Sequence, residues 1–190
     1  MRVVTLSDDG FRETCRRLAE SCLGSGIRPD CVAGICTGGW IVAREMSRHF
    51  PEASLLSVTS RRPSTDRKGG MVRRVVRILP RFMQDWLRIM EARILAMADD
   101  GKTPQDAVGL SVDVAESLSA VGEGTILVVD DAIDSGKTMW RVVEAIRAVA
   151  PSAVIRTAAV TVTTGHPLVV PDVALYNDRT LIRFPWAMDA

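Results

Sequence analysis

Thr125-Ile-Leu-Val-Val-Asp-Asp-Ala-Ile-Asp-Ser-Gly-Lys-Thr-Met139 is the stretch that decides the fold. Thr125–Val129 is a run of apolar and β-branched residues, the pattern of a strand buried on both faces of a parallel sheet. Two adjacent carboxylates, Asp130 and Asp131, close the run. Asp130–Gly136 then reads as a loop of small residues, and a helix is expected from Lys137 to about Val149. Ligands of open α/β sheets bind at the carboxyl ends of the strands. Ser135, Gly136 and Thr138 at a helix N-terminus offer backbone N–H groups and the positive dipole end to a phosphate. Carboxylates beside that turn can accept hydrogen bonds from the vicinal hydroxyls of a ribose, and can help place a magnesium ion directly or through water. Acids and turn together describe a site for a phosphorylated pentose. The GxxxxGK[ST] spacing of a Walker loop is absent.

Outward from this stretch, strands alternate with helices. Toward the N-terminus, residues 2–6 form a short strand. Ser7 caps a helix whose first turn holds Asp8 and Asp9, and whose apolar stripe is Phe11, Cys15, Leu18 and Cys22. Cys31–Ile35 is a second buried strand, broken at Thr37-Gly38-Gly39 and followed by a helix from about Trp40 to His49. Ser54–Thr59 is the next strand. Toward the C-terminus, Ser152–Val162 is a strand, with shorter ones near Val173–Tyr176 and Thr180–Arg183. This order implies an α/β domain with a doubly wound, mainly parallel, Rossmann-like sheet. Between about 60 and 118 the alternation lapses: a polar, basic loop to Gly70 precedes helical spacing from Met71 to Met97 and a helix from Thr103-Pro104 to about Leu118. We read this block as a helical insertion in a single domain spanning 1–190, with a hood segment over about 165–190.

With 190 residues, 47% of them apolar and 25% charged, the chain has the composition of one globular domain with a sizeable core. A formal net charge of +1 gives no global pull toward nucleic acid or anionic membrane. No apolar run approaches the roughly 18 residues of a membrane span, and the N-terminus has no signal-peptide pattern, so the cytoplasm is the expected compartment. The cysteines Cys15, Cys22, Cys31 and Cys36 lack the close pairs of a zinc site and read as small apolar residues. His49 and His166 are assigned structural roles.

Val128-Val-Asp-Asp-Ala-Ile-Asp-Ser-Gly-Lys-Thr138 resembles the signature of type I phosphoribosyltransferases, enzymes that bind 5-phosphoribosyl-1-pyrophosphate (PRPP). By that resemblance Asp130 and Asp131 hold the ribose hydroxyls and, indirectly, Mg²⁺. Ala132 and Asp134 belong to the same PRPP site, Asp134 lies near the acceptor as proton acceptor, and Ser135, Gly136, Lys137 and Thr138 wrap the 5′-phosphate. Asp30-Cys-Val-Ala-Gly-Ile-Cys-Thr-Gly-Gly-Trp40 is similar to the family's pyrophosphate loop, assigning Cys36, Thr37, Gly38 and Gly39 to the leaving group. Thr37 stands where many relatives carry Arg or Lys. The tail Tyr176-Asn-Asp-Arg-Thr-Leu-Ile-Arg-Phe-Pro-Trp186 is similar to the endings of xanthine–guanine and archaeal hypoxanthine phosphoribosyltransferases. Leu181 replaces their base-stacking Trp, and Val162 falls where they use Lys to read the purine. Ile133, Val162, Leu181 and Ile182 are thus expected to line a more apolar acceptor pocket.

The implied activity is Mg²⁺-dependent transfer of the phosphoribosyl group from PRPP to a nitrogen acceptor, with release of pyrophosphate. The altered purine half leaves two alternatives open, a non-catalytic PRPP-binding regulator and an enzyme for an unusual, non-purine acceptor. From Arg61 to Arg93 the insertion holds ten basic and three acidic residues. Arg61 and Arg62 could fold over the pyrophosphate and supply the charge missing at Thr37. The same block could instead serve as a partner or oligomer surface, with Trp86 as an anchor. A homo-oligomer is expected, and neither membrane nor nucleic acid is.

Overall fold

Strand–helix alternation is the organising feature of the computed structural model, which describes residues 2–59 and 110–187. The elements are β1 (Val3–Thr5), α1 (Asp8–Gly24), β2 (Cys31–Ile35), α2 (Gly38–Met46), a 3-10 turn (Ser47–His49) and β3 (Ser54–Val58). After them come α3 (Val112–Ser119), β4 (Thr125–Ile133), α4 (Lys137–Val149), β5 (Val154–Val162), β6 (Val173–Tyr176), β7 (Leu181–Arg183) and a 3-10 turn (Pro185–Ala187). Arg61, Arg62, Trp86 and the greater part of the expected insertion lie outside the described residues.

Five strands form a parallel sheet in the order β3-β2-β4-β5-β6. Asp30 sets the start of three of them. Its side chain accepts from Thr125 N–H (2.7 Å), its own N–H donates to Thr125 C=O, and its C=O accepts from Ser54 N–H. Alternating side chains then feed two cores. Val32, Leu127, Val129, Ala158 and Val160 pack with α1 and α2. Cys31, Ala33, Ile126, Val128 and Ala159 pack on the other face with α3 and α4. The α/β architecture and mainly parallel sheet expected from the sequence are what the chain adopts.

α1 follows its sequence pattern closely. The Ser7 hydroxyl accepts from Gly10 N–H, Asp8 and Asp9 occupy the first turn, and Phe11, Cys15, Leu18 and Cys22 are all buried. Burial pushes the Cys15 and Cys22 thiols up to about 12, the behaviour of inert apolar residues. Three details differ from expectation. β4 runs on to Ile133, so Asp130 and Asp131 lie inside the strand; pairing with β5 from Asp130↔Ala159 to Ile133↔Val162 outweighs the poor strand propensity of aspartate. The helix expected from Thr103 to Leu118 is not continuous among its described residues, since Leu110 and Ser111 are non-helical and α3 starts only at Val112. Extended Ser111, with Asp113 in the first turn, makes that fresh start. Finally, the tail does not simply fold over the site. β7 pairs in parallel with β1 as a separate two-stranded sheet, Val3↔Leu181 to Thr5↔Arg183. Phe184 and Trp186 stack at 4.6 Å and meet Phe11 of α1 edge-on at 6.4 and 5.1 Å.

Candidate active site

The carboxyl ends of β2 and β4 are adjacent in the sheet, and this places the glycine pair that follows β2 against the two acids. A side-chain carbon at Gly38 would lie 2.1 Å from Asp131 Oδ2. One at Gly39 would lie 2.6 Å from the Val129 carbonyl and 2.9 Å from Asp130 Oδ1. Neither glycine is demanded by its backbone torsion; both are demanded by proximity. Gly34 plays the same part deeper in the sheet, where a side-chain carbon would sit 2.7 Å from Ala43 Cβ, so α2 rests directly on β2. Thr37 precedes α2 and is exposed, Cys36 is half-buried, and the Cys36–Thr37 peptide is cis.

Asp130 is nearly buried (9% exposed), whereas Asp131 is half-buried beside it. Asp131 N–H donates to Asp130 Oδ1 at 2.9 Å. Burial first, and the neighbouring Asp131 carboxylate second, push the Asp130 carboxyl well above the ordinary range. A buried acid at this position is held ready to ionise against a ligand's hydroxyls or cation. Among the described residues no group of three or more metal-ligating side chains exists. The pair Asp130–Asp131 nevertheless suits Mg²⁺, which commonly takes one or two carboxylates and completes its shell with water and substrate oxygens.

Gly136 takes φ +76° and starts α4, with Trp140 N–H donating to its carbonyl at 2.9 Å. Ser135 is exposed and Lys137 and Thr138 are half-buried around the turn. Sequence reasoning missed what packs on it. Leu168 N–H donates to Ser135 C=O at 2.8 Å, and a side-chain carbon on Gly136 would lie within 2.9 Å of the Leu168 and Val169 nitrogens. The β5–β6 connection therefore backs the Ser135–Thr138 turn. Pro167, a turn-forming residue in that connection, was the available signal.

Asp134 is exposed, and the Thr163 hydroxyl donates to its Oδ1 at 3.1 Å. Thr163 is itself held by its N–H, which donates to Ile133 C=O at 2.9 Å. Of the four residues assigned to the acceptor, Ile133 and Val162 are register partners, both buried in the core on the α4 side. Ile182 packs with the α1 side instead, and Leu181 pairs with Val3. Three of the four are thus divided between the two cores, and Leu181 belongs to neither. Ala132 is exposed between Asp131 and Ile133.

Comparison with known proteins agrees with this arrangement. The family model described as "Phosphoribosyl transferase domain" matches residues 7–188. No curated protein matches the sequence. Among solved structures, the purine phosphoribosyltransferase of Pyrococcus horikoshii Ot3 superposes with a TM-score of 0.60 at 19% identity, over 98% of this chain and 94% of that one. A Helicobacter pylori xanthine–guanine–hypoxanthine phosphoribosyltransferase gives 0.60 at 14% identity, over 99% and 95%. A hypothetical protein of Neisseria gonorrhoeae with bound ppGpp gives 0.61 at 15%, over 97% and 89%. These identities speak to fold alone; the family match carries more, because it takes in both glycine-bearing loops and the acids between them. The chain belongs to the phosphoribosyl transferase domain family, and it is an enzyme of the pentosyltransferase class working from PRPP.

Proposed function

We propose that the chain catalyses Mg²⁺-dependent transfer of a 5-phosphoribosyl group from PRPP to a ring nitrogen of a nucleobase or nucleobase-like acceptor, releasing pyrophosphate. The observation that carries the proposal is the contact of Gly38 and Gly39 with Asp131 and Asp130. A site for the leaving group at one glycine pair and a site for the ribose hydroxyls at one acid pair are thereby a single cleft. The phosphate turn Ser135–Thr138 would fix the far end of the same pentose through the first N–H groups of α4.

In this reading the bond from ribose C1 to the pyrophosphate oxygen breaks, the pyrophosphate keeps the electron pair, and positive charge grows on the ring. Backbone N–H groups of Cys36–Gly39 would bind the departing oxygens. Mg²⁺, when bound with the substrate, would screen that charge. The acceptor nitrogen bonds to C1 and its proton passes to Asp134, whose Oδ1 is held by Thr163. Arg61 and Arg62 are proposed as the cations that offset Thr37. The acceptor itself remains open in class: two structural neighbours bear purine-specific names, yet Val162, at the expected purine-reading position, is only 5% exposed. We therefore favour an acceptor read by residues other than Val162.

Calorimetric titration of Mg²⁺–PRPP into wild type and into the D130N/D131N double variant tests the proposal. Binding by wild type and none by the variant is expected, followed by pyrophosphate release on addition of an acceptor from a nucleobase panel. No binding by either protein would remove the proposal's basis.

A further inference from the structure

Three consecutive residues, Ile133 at the end of β4 and Asp134 and Ser135 beyond it, are held by one short segment. Thr163 N–H donates to Ile133 C=O at 2.9 Å, the Thr163 hydroxyl lies 3.1 Å from Asp134 Oδ1, and Leu168 N–H donates to Ser135 C=O at 2.8 Å. Residues 163–168 thus form a strap fixed at both ends. Its first residue is anchored by backbone before its side chain is used. Among the described residues Thr163 is the hydrogen-bond partner of the Asp134 side chain, which is otherwise exposed. An exposed aspartate samples several rotamers, and tethering one oxygen selects among them.

The hydroxyl also has a second acceptor. Thr163 Oγ1 lies 3.3 Å from the Ile133 carbonyl oxygen. A threonine hydroxyl carries one hydrogen, so it serves one of these acceptors well at a time. While Asp134 is a carboxylate, its oxygen is both the nearer acceptor and the stronger one, because a charge-assisted hydrogen bond outweighs one to a neutral carbonyl. Once a proton sits on Oδ2, Oδ1 is a neutral carbonyl oxygen and that advantage disappears. The hydroxyl hydrogen can then turn to Ile133, and no half-buried donor is left unpaired. Rotation about one bond moves the hydrogen while every heavy atom stays in place.

We propose that Thr163 is a positioning residue for the transfer reaction. Its hydroxyl holds the Asp134 carboxylate in one orientation and turns to Ile133 C=O when the acceptor's proton arrives. The acceptor nitrogen uses its lone pair to bond to C1, its N–H bond then breaks with the electrons remaining on nitrogen, and the proton passes to Asp134 Oδ2. Thr163 keeps its own hydrogen throughout. The inference rests on the role of Asp134 given under Proposed function and adds what controls that carboxylate.

The intact chain is assayed for pyrophosphate release from Mg²⁺–PRPP with adenine, guanine, hypoxanthine, xanthine, uracil and orotate, and the acceptor turned over fastest is carried to the variants. D134N should lower kcat by about a hundredfold or more, the usual weight of a general base. T163V keeps the branched shape and removes the hydroxyl. It should lower kcat by about tenfold at unchanged KM for PRPP, and T163S should restore the rate. T163A replaces the valine variant if that one does not fold. In the D134N background T163V should have no further effect, as a residue acting through Asp134 requires. Unchanged kcat in T163V, failure of T163S to restore it, or full additivity of the two substitutions overturns the inference and leaves the transferase reading standing. An unimpaired D134N strikes the role of Asp134, and no pyrophosphate release with any of the six acceptors strikes the transferase reading; the inference falls with either.

Discussion

Asp130 illustrates how one residue can trade stability for ligand binding. Its carboxyl is raised by burial and by Asp131, so the folded protein holds its proton more tightly than the unfolded chain. The sign follows from linkage: the folded state is favoured at low pH, and stability falls as pH rises from the unfolded value through the folded one. D130N removes that penalty. We expect it to raise the unfolding free energy and the Tm at pH 8, with the gain vanishing near pH 4, about the unfolded carboxylate value. The same substitution should abolish Mg²⁺–PRPP binding. Calorimetric scans at the two pH values check the first effect, and an unchanged or lowered Tm at pH 8 would contradict it. In wild type, ligand binding should release protons, visible as an observed enthalpy that changes with the buffer's ionisation enthalpy. The glycines give a sharper residue-scale test. G38A must displace the Asp131 carboxylate, and G39A must displace β4 backbone. Both should weaken PRPP binding by at least about tenfold, and G39A should also destabilise by about 2 kcal/mol or more because backbone cannot give way as a side chain can.

Among the elements, the ones with a strong local pattern were legible in the sequence. α1 announced itself through Ser7, the two aspartates and a buried stripe at helical spacing, β2 through an unbroken apolar run, and β5 through its β-branched residues. β4 was legible only to Val129, because Asp130 and Asp131 have poor strand propensity and the conformation of its last residues comes from pairing with β5, a neighbour that local pattern does not reveal. The glycine pair and the two aspartates were legible as residue types suited to close approach and to hydroxyl or cation binding, and the fold brings them together. Thr163 was not, because its contacts with Ile133 and Asp134 join the end of β5 to the end of β4, and the β5–β6 connection beyond it packs on the Ser135–Gly136 turn. That connection is held by Asp172, which accepts from Thr157 N–H and hydroxyl, both at 2.8 Å, and from Arg156 at 3.0 Å. Although burial works against it, these donors hold the Asp172 carboxyl below its ordinary value. Its contribution is therefore present above the unfolded carboxylate value and fades as pH falls through the folded one. D172A should cost about 1 kcal/mol at pH 7 and progressively less as pH falls below the ordinary carboxylate value, measured by urea unfolding, and should loosen the Leu168 contact with Ser135. A D172A penalty that grows as pH falls would argue against this account.

For the molecule as a whole, ligand binding and folding are linked, because the cleft is assembled from β2, β4 and the start of α4. Mg²⁺–PRPP at about a hundredfold its Kd should stabilise the folded chain by about 2.7 kcal/mol, raising Tm by roughly 5–11 °C, and should leave the D130N/D131N variant unmoved. F184A, which removes a ring 5% exposed between Phe11 and Trp186, should lower stability by about 3 kcal/mol or more. A loss much below that figure, measured by denaturant unfolding, would mean that the aromatic cluster does not tie the tail to α1. The pairing of β1 with β7 also has a bearing on how the protein is made. On the ribosome β1 is made before the five-stranded sheet and has no partner until Leu181–Arg183 leave the exit tunnel. A nascent chain could therefore build β2 to β6 while β1 still waited, so that the β1–β7 clasp closes after the larger sheet.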